Sequence, residues 1–177
     1  KWIERILAGD TQSFSCLVAK YEKMAYTIAL RILENREEAE EAVQDAFVKM
    51  YRALSDFHFD SKFSTWFYRI VYRTALTALR QQRMFVSYEE AGPVDLSNDE
   101  VESATALLER EDRKEMIART LKKLPADEAL LLTLYYLEEC SVEEICQITE
   151  LSASNVKVKL FRGRKRFYEV LQEIRDS

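Results

Sequence analysis

Glycine and proline are scarce, at three and two positions in 177 residues. So few chain breakers argue against a loop-rich or tightly turned β architecture and for long regular elements, with helices the natural candidate. Cysteine is scarce too. Cys16, Cys140 and Cys146 form no CxxC and have only His58 as an imidazole partner. A zinc site or disulfide framework is therefore not expected, and buried reduced thiols are the simpler reading. Long apolar runs are missing: none nears the roughly 18 to 20 residues that span a bilayer, and the opening KWIERILAGD lacks the apolar core of a signal peptide. The expectation is a cytoplasmic protein with no membrane insertion. There is no phosphate-cradling glycine loop, no HExxH and no Cys–His pairing. A helical hydrolase built on Glu37, Glu41 and Asp45 would have little else to work with, so no enzyme, cofactor, metal or small-molecule substrate is expected.

What is present is segregated charge. The formal net charge is -5, yet Ser61 to Arg83, SKFSTWFYRIVYRTALTALRQQR, holds five Lys or Arg and no acid. From Glu34 to Asp45 six acids stand against Arg36 alone; from Glu89 to Glu115 ten acids face three bases; from Leu151 to Tyr168 there are six bases and no acid. Two basic blocks in an acidic chain suggest two contact surfaces for a polyanion.

The pattern is helical throughout. Phe14, Leu17, Val18, Tyr21, Met24, Ala25, Ile28 and Ala29 recur at helical spacing behind a candidate cap, Asp10. A second helix starts at Asn35, with Glu38 three residues on as a capping-box-like partner, and a third near Ser61. A linker is expected from Met84, where MFVSYEEAGPVDLSND breaks the periodicity, with helical spacing resuming near Asp99. Pro125 suits the first turn of a helix through ADEALLLTLYYLEE; Ser141 with Glu144 makes a capping-box pattern before VEEICQI; Ser152 can cap ASNVKVKLFRGRKRFYEVLQEI. Helix, short helix, turn, basic helix is a helix-turn-helix order, with the basic block where a recognition helix would enter a major groove. A solvated basic face is the plainer alternative.

In the opening of the third helix, Phe63, Trp66, Phe67, Ile70, Val71, Thr74 and Ala78 share one face and read as core. Arg69, Tyr72, Arg73, Arg80 and Arg83 lie mainly away from it. Cations interleaved with rings suit single-stranded nucleic acid, because cations follow phosphates and a ring stacks on an unpaired base for about 1 to 3 kcal/mol.

The chain resembles the extracytoplasmic-function (ECF) group of the sigma-70 family, the sigma factors of bacterial RNA polymerase. REEAEEAVQDAFVKMYRALSDF with KFSTWFYRIVYRTALTALR is similar to the family's region two, and LPADEALLLTLYYLEECSVEEICQITELSASNVKVKLFRGRKRF to region four. The resemblance implies an all-α fold of two small helical domains: residues 1–83 for polymerase docking and minus-ten recognition and melting, an acidic linker over 84–114, and a helix-turn-helix domain over 115–177 for the minus-thirty-five element. It implies a transcription initiation factor that partners core RNA polymerase through the beta-prime clamp helices and beta flap, promoter DNA, and an anti-sigma factor. Clamp docking falls on Glu41, Gln44 and Asp45, for which a solvated face is the other reading. Minus-ten contacts fall on Phe59, Asp60, Ser61 and Lys62 in a loop and on Arg69, Tyr72, Arg73 and Arg80 along the helix. Minus-thirty-five contacts fall on Ser154, Asn155, Lys157, Lys159, Phe161 and Arg162, with Arg164, Lys165 and Arg166 for phosphates. The sequence departs from the family at Arg73, where Asn is frequent, at Thr77, where Asp is frequent, and at Glu150, a turn position that is often Gly. A stand-alone helix-turn-helix regulator would explain the C-terminal half but leave the Trp/Tyr/Arg helix and the acidic helix unused.

Overall fold

The computed structural model of the chain describes residues 2–86 and 108–175, which form eight α-helices with no strand among the described residues. Short α1 (Trp2–Leu7) lays Ile3 and Ile6 on the core and leads into α2 (Thr11–Leu33). Asp10 opens α2 as expected: its extended backbone lets the carboxylate accept from the Ser13 amide at 3.1 Å and the Ser13 hydroxyl at 2.8 Å. Asn35 caps α3 (Arg36–Ala53) by accepting from the Glu38 amide at 3.1 Å. The Glu38 carboxylate accepts from Gln82 on α4 at 3.1 Å, tying α3 to α4.

The third predicted helix, α4 (Phe63–Val86), starts two residues later than Ser61 and continues past Met84. Leu17, Ile28, Met50, Leu54, Phe67 and Val71 are its shared core with α2, α3 and the turn after α3, all at most 2% exposed. Each such side chain contributes about 1.5 to 3 kcal/mol of transfer free energy relative to exposure. The amphipathic face read from the sequence is the face that packs.

The second bundle comprises α5 (Leu108–Lys122), α6 (Ala126–Leu132), α7 (Val142–Thr149) and α8 (Ala153–Arg175). Helix thus occupies both ends of the linker expected over 84–114. No glycine or proline stands between Pro125 and Pro93, or between Gly9 and Gly92, to stop α5 or α4 sooner. The expected resumption near Asp99 lies outside the described residues. Pro125 is the cap, one place before the first turn, with its carbonyl accepting from the Ala129 amide at 2.9 Å. The helix predicted through Glu139 ends its α-turns at Leu132; a π-turn over Thr133–Leu137 follows, closed by Glu138 N–H to Thr133 C=O at 3.2 Å. Ser141 and Glu144 form the full reciprocal capping box of α7. Ser152 caps α8, its hydroxyl accepting from the Asn155 amide at 3.3 Å.

Close approach of α8 to α6 depends on Gly163. A Cβ there would lie 3.3 Å from Glu128 Cβ and Leu132 Cδ1. The two bundles meet along a seam where α4 packs on α7 and α2 on α6. Arg31 of α2 reaches across, donating to the Leu121 carbonyl at the end of α5 at 3.3 Å. No described helix is long and apolar enough to cross a membrane.

Candidate nucleic-acid interface

The first basic surface begins at the turn from Phe57 to Lys62. Phe57 is buried against Trp66 (ring centroids 5.0 Å) and Phe63 (5.7 Å), which anchors the turn and lifts Phe59 to its tip, 63% exposed. Phe59 has a left-handed backbone, φ 62°, uncommon for a bulky residue and a form of strain found at functional positions. Asp60 is exposed beside it and Ser61 half-buried. Asp56, His58, Asp60, Thr65, Trp66 and Arg69 border a cleft of about 430 Å³, which Gln147 of α7 also lines.

Along α4, Arg69, Arg73 and Arg80 are exposed, as the helical spacing requires. Tyr72 differs from expectation: it is half-buried and packs on the core between the bundles. Burial, then the nearby Glu150 and Asp127 carboxylates, raise its pKa. Tyr68, read as neither core nor contact, is 3% exposed and donates its hydroxyl to Glu138 at 2.9 Å. Burial, then Glu138, raises its pKa as well. Trp66 is half-buried and Phe67 fully buried.

The cations of this surface are not open to solvent alone. Lys62 Nζ lies 2.9 Å from Glu144 Oε1, Arg69 pairs with Glu150 at 3.0 Å, and Arg73 pairs with the same carboxylate oxygen. Hydrogen bonds from Arg73, then Arg69, hold the Glu150 carboxyl below the usual range, and that from Lys62 does the same for Glu144. In the sequence Glu150 stands out only as an acid at a turn position, and nothing local marks it or Glu144 as a partner of α4. Between 70 and 81 residues separate the members of the Glu138 and Glu150 pairs, and no local spacing announces them.

The second basic surface is α8. Ser154, Asn155, Lys157, Phe161, Arg162, Arg164 and Lys165 are exposed, and Phe161, 65% exposed, presents its ring outward. Val156, Leu160 and Gly163 form the opposite, buried face. Among the nine residues expected to meet DNA, Arg164 donates to the Tyr136 hydroxyl at 3.4 Å, and two others pair with acids inside the domain. Arg166 Nη1 lies 3.0 Å from both carboxylate oxygens of Glu128, which is 8% exposed. Lys159, half-buried, pairs with Asp127; burial opposes ionisation of Asp127, but the lysine outweighs it and holds the carboxyl below its ordinary value.

On α3, Glu41, Gln44 and Asp45 share one exposed stripe, continued by Val48 (47% exposed) and Tyr51 (53%). Asp45 pairs with Lys49 at 2.7 Å. A largely apolar groove of about 280 Å³ lies on the second bundle, lined by Ile117, Leu121, Leu132, Tyr136, Leu137, Phe167 and Tyr168, with Arg164 the one charged residue at its edge. The π-turn pushes Tyr136 and Leu137 outward to its rim.

Two family models match the chain: Sigma-70 region 2 over residues 17–84 and Sigma-70, region 4 over residues 114–167. The RNA polymerase sigma-H factor of Pseudomonas aeruginosa is 32% identical, with 97% of this chain and 93% of that protein covered. The ECF RNA polymerase sigma-E factor of Escherichia coli is 30% identical over the same shares. Among solved structures, the sigma factor RpoE in complex with the anti-sigma factor NepR from Bartonella quintana is similar with a TM-score of 0.72 at 18% identity, over 91% of this chain and 98% of that one. CnrH in complex with the cytosolic domain of CnrY is similar with a TM-score of 0.60 at 23% identity, over 97% and 96%.

Proposed function

The chain belongs to the sigma-70 family of RNA polymerase sigma factors, in its extracytoplasmic-function group, and from that premise we propose how its surfaces divide the work of initiation. Its function is to direct core RNA polymerase to promoters rather than to regulate as a stand-alone helix-turn-helix protein. In the proposed division, the loop at Phe59 to Lys62 and the Arg69, Arg73 and Arg80 edge of α4 take the minus-ten strand. The cleft under that loop receives an unstacked base, and Phe59 offers an exposed ring beside it. Extruding a base costs a few kcal/mol, which a stacked ring and two or three phosphate contacts can offset. Tyr72, being half-buried, joins this surface only by its outer edge.

The α8 face from Ser154 to Lys165 takes the minus-thirty-five duplex, base edges near the helix start and phosphates farther along. Arg166 and Lys159 hold α8 on α6 and present the others. The acidic stripe of Glu41, Gln44 and Asp45 docks on the beta-prime clamp helices, with Val48 and Tyr51 as its apolar continuation. The groove bordered by Tyr136, Leu137 and Tyr168 suits an apolar segment such as one from the beta flap. An anti-sigma partner is inferred as well, since a similar structure is described with the anti-sigma factor NepR.

The observation that carries this reading is the presence, on one chain, of an acid-free helix suited to strand capture and a basic helix-turn-helix suited to duplex. Size-exclusion chromatography with core RNA polymerase tests it. Co-elution at low micromolar concentration is expected; a chain that ignores core and binds duplex promoter DNA as a dimer would overturn it.

A further inference from the structure

We propose that Val158 selects thymine in the minus-thirty-five duplex by packing its methyl groups on the C5-methyl group in the major groove, with Phe161 extending the same apolar contact. The inference rests on the reading that α8 enters that groove, and it adds a base preference at a residue not otherwise placed on DNA.

Val158 stands on the outermost line of α8. Val156, Leu160 and Gly163 mark the buried face of the helix. At about 100° per residue, Val158 points within about 30° of the direction opposite that face, as do Ser154 and Lys165. Lys157 and Arg162 are exposed on either side of this line. Phosphates on the two walls of a groove, drawn to those cations, bring the line between them to the floor. Lys159 and Arg166, farther round toward α6, are held by Asp127 and Glu128 and do not pull the helix to that side.

Val158 is 46% exposed, and neither it nor Phe161 packs on the core. A β-branched side chain is a poorer helix former than alanine, so an exposed valine does not stabilise α8. Single apolar residues scattered over a surface are ordinary. Here the two are neighbours at i and i+3 on one side of the helix, ringed by Lys157, Arg162 and Lys165. An apolar patch set among cations is suited to a polyanion that also displays an apolar group.

The chemistry of the major groove names that group. Guanine, cytosine and adenine show donors and acceptors there, whereas thymine adds a C5-methyl group. Valine offers neither donor nor acceptor. Over a G·C pair it strips water from polar edges and returns no hydrogen bond; over thymine it removes a methyl group from water. A cost at the other bases and a gain at thymine together make a preference. A rise of about 1.5 Å per residue sets Val158 and Phe161 about 4.5 Å apart along α8, close to the step of about 3.4 Å between base pairs. The patch therefore covers one thymine or two in succession.

The test uses the full chain assembled with core RNA polymerase. Duplexes that the wild type selects from a library randomised upstream define its minus-thirty-five element. Each thymine of that element is then replaced singly by deoxyuridine, which lacks only the methyl group, and relative affinity is read by competition filter binding at constant salt. At one thymine, or at two adjacent ones, the replacement is expected to weaken wild-type binding about fourfold, the worth of one buried methyl group. With Val158→Ala the same replacement should change affinity by less than about 1.5-fold at the thymine that Val158 covers, as a closed double-perturbation cycle requires. The salt dependence of binding should be the same for both proteins, because no cation is removed. Val158 is exposed and alanine is the better helix former, so the variant keeps the fold. A selected element made only of G·C pairs would overturn the proposal. So would deoxyuridine without effect at every position, or a methyl dependence that survives Val158→Ala. Failure to select any element would overturn the sigma-factor reading as well, and it shows at the selection step, before a base is replaced.

Discussion

Replacing Arg166 by Ala separates a structural arginine from a DNA-binding one. Its guanidinium lies 3.0 Å from both oxygens of the Glu128 carboxylate, whose side chain is 8% exposed, while Arg166 itself is 50% exposed. Removing one partner of a fully buried pair costs about 3 to 5 kcal/mol, because the remaining charge stays desolvated. Water already reaches the arginine side, so a smaller loss than that range, about 2 kcal/mol, is expected here. For a domain of 60 to 100 residues that corresponds to a melting temperature lower by about 8 to 16 °C. Thermal unfolding of the full chain followed by circular dichroism reads this directly. The double variant Arg166→Ala/Glu128→Leu should recover most of the loss, since the stranded carboxylate is gone. An unchanged melting temperature, with DNA affinity reduced, would refute the reasoning and return Arg166 to the phosphate-contacting set.

Three further outcomes follow from the same geometry. Changing Glu41, Gln44 and Asp45 together to Ala should weaken binding to core RNA polymerase about tenfold while leaving far-ultraviolet dichroism unchanged, because all three are exposed and none packs on the core. If Lys157, Arg162, Arg164 and Lys165 supply about four phosphate contacts, duplex affinity of the full chain should fall roughly a hundredfold between 50 and 200 mM salt in a filter-binding titration; a flat response would count against α8 as the duplex surface. Burial, then the neighbouring Glu144 and Glu138 carboxylates, push the Cys140 thiol up to about 11, so at pH 8 it carries about a hundredfold less thiolate than an ordinary cysteine. Mass spectrometry after brief alkylation should find exposed Cys16 modified and Cys140 spared.

Local rules made much of the fold legible. Asp10, Asn35, Ser141 and Ser152 all cap the helices assigned to them, because a side-chain oxygen three residues before an amide is a short-range geometric fact. The Phe67 and Val71 face of α4 was legible for the same reason: the 3.6-residue period puts those side chains on one stripe. The π-turn after Leu132 was not, since LLLTLYYL is apolar on every face and offers no periodicity for an extra residue to disturb. Nor was the division of labour on α8. Arg166 and Arg164 look alike in sequence, and only the placement of Glu128 on α6 distinguishes them. The same holds for α4, where Arg69 and Arg73 were legible as exposed cations but their partner Glu150 was not, because charge complementarity between distant helices leaves no local trace.

The central claim is that this chain gives core RNA polymerase its promoter choice. Transcription from a library of randomised upstream sequences, with start sites mapped by sequencing, tests it with core alone, the protein alone and the two together. Initiation at a shared pair of motifs about two helical turns apart, only when both are present, is the predicted result. The same start sites from core alone, or no selection of sequence when the protein is added, would contradict it.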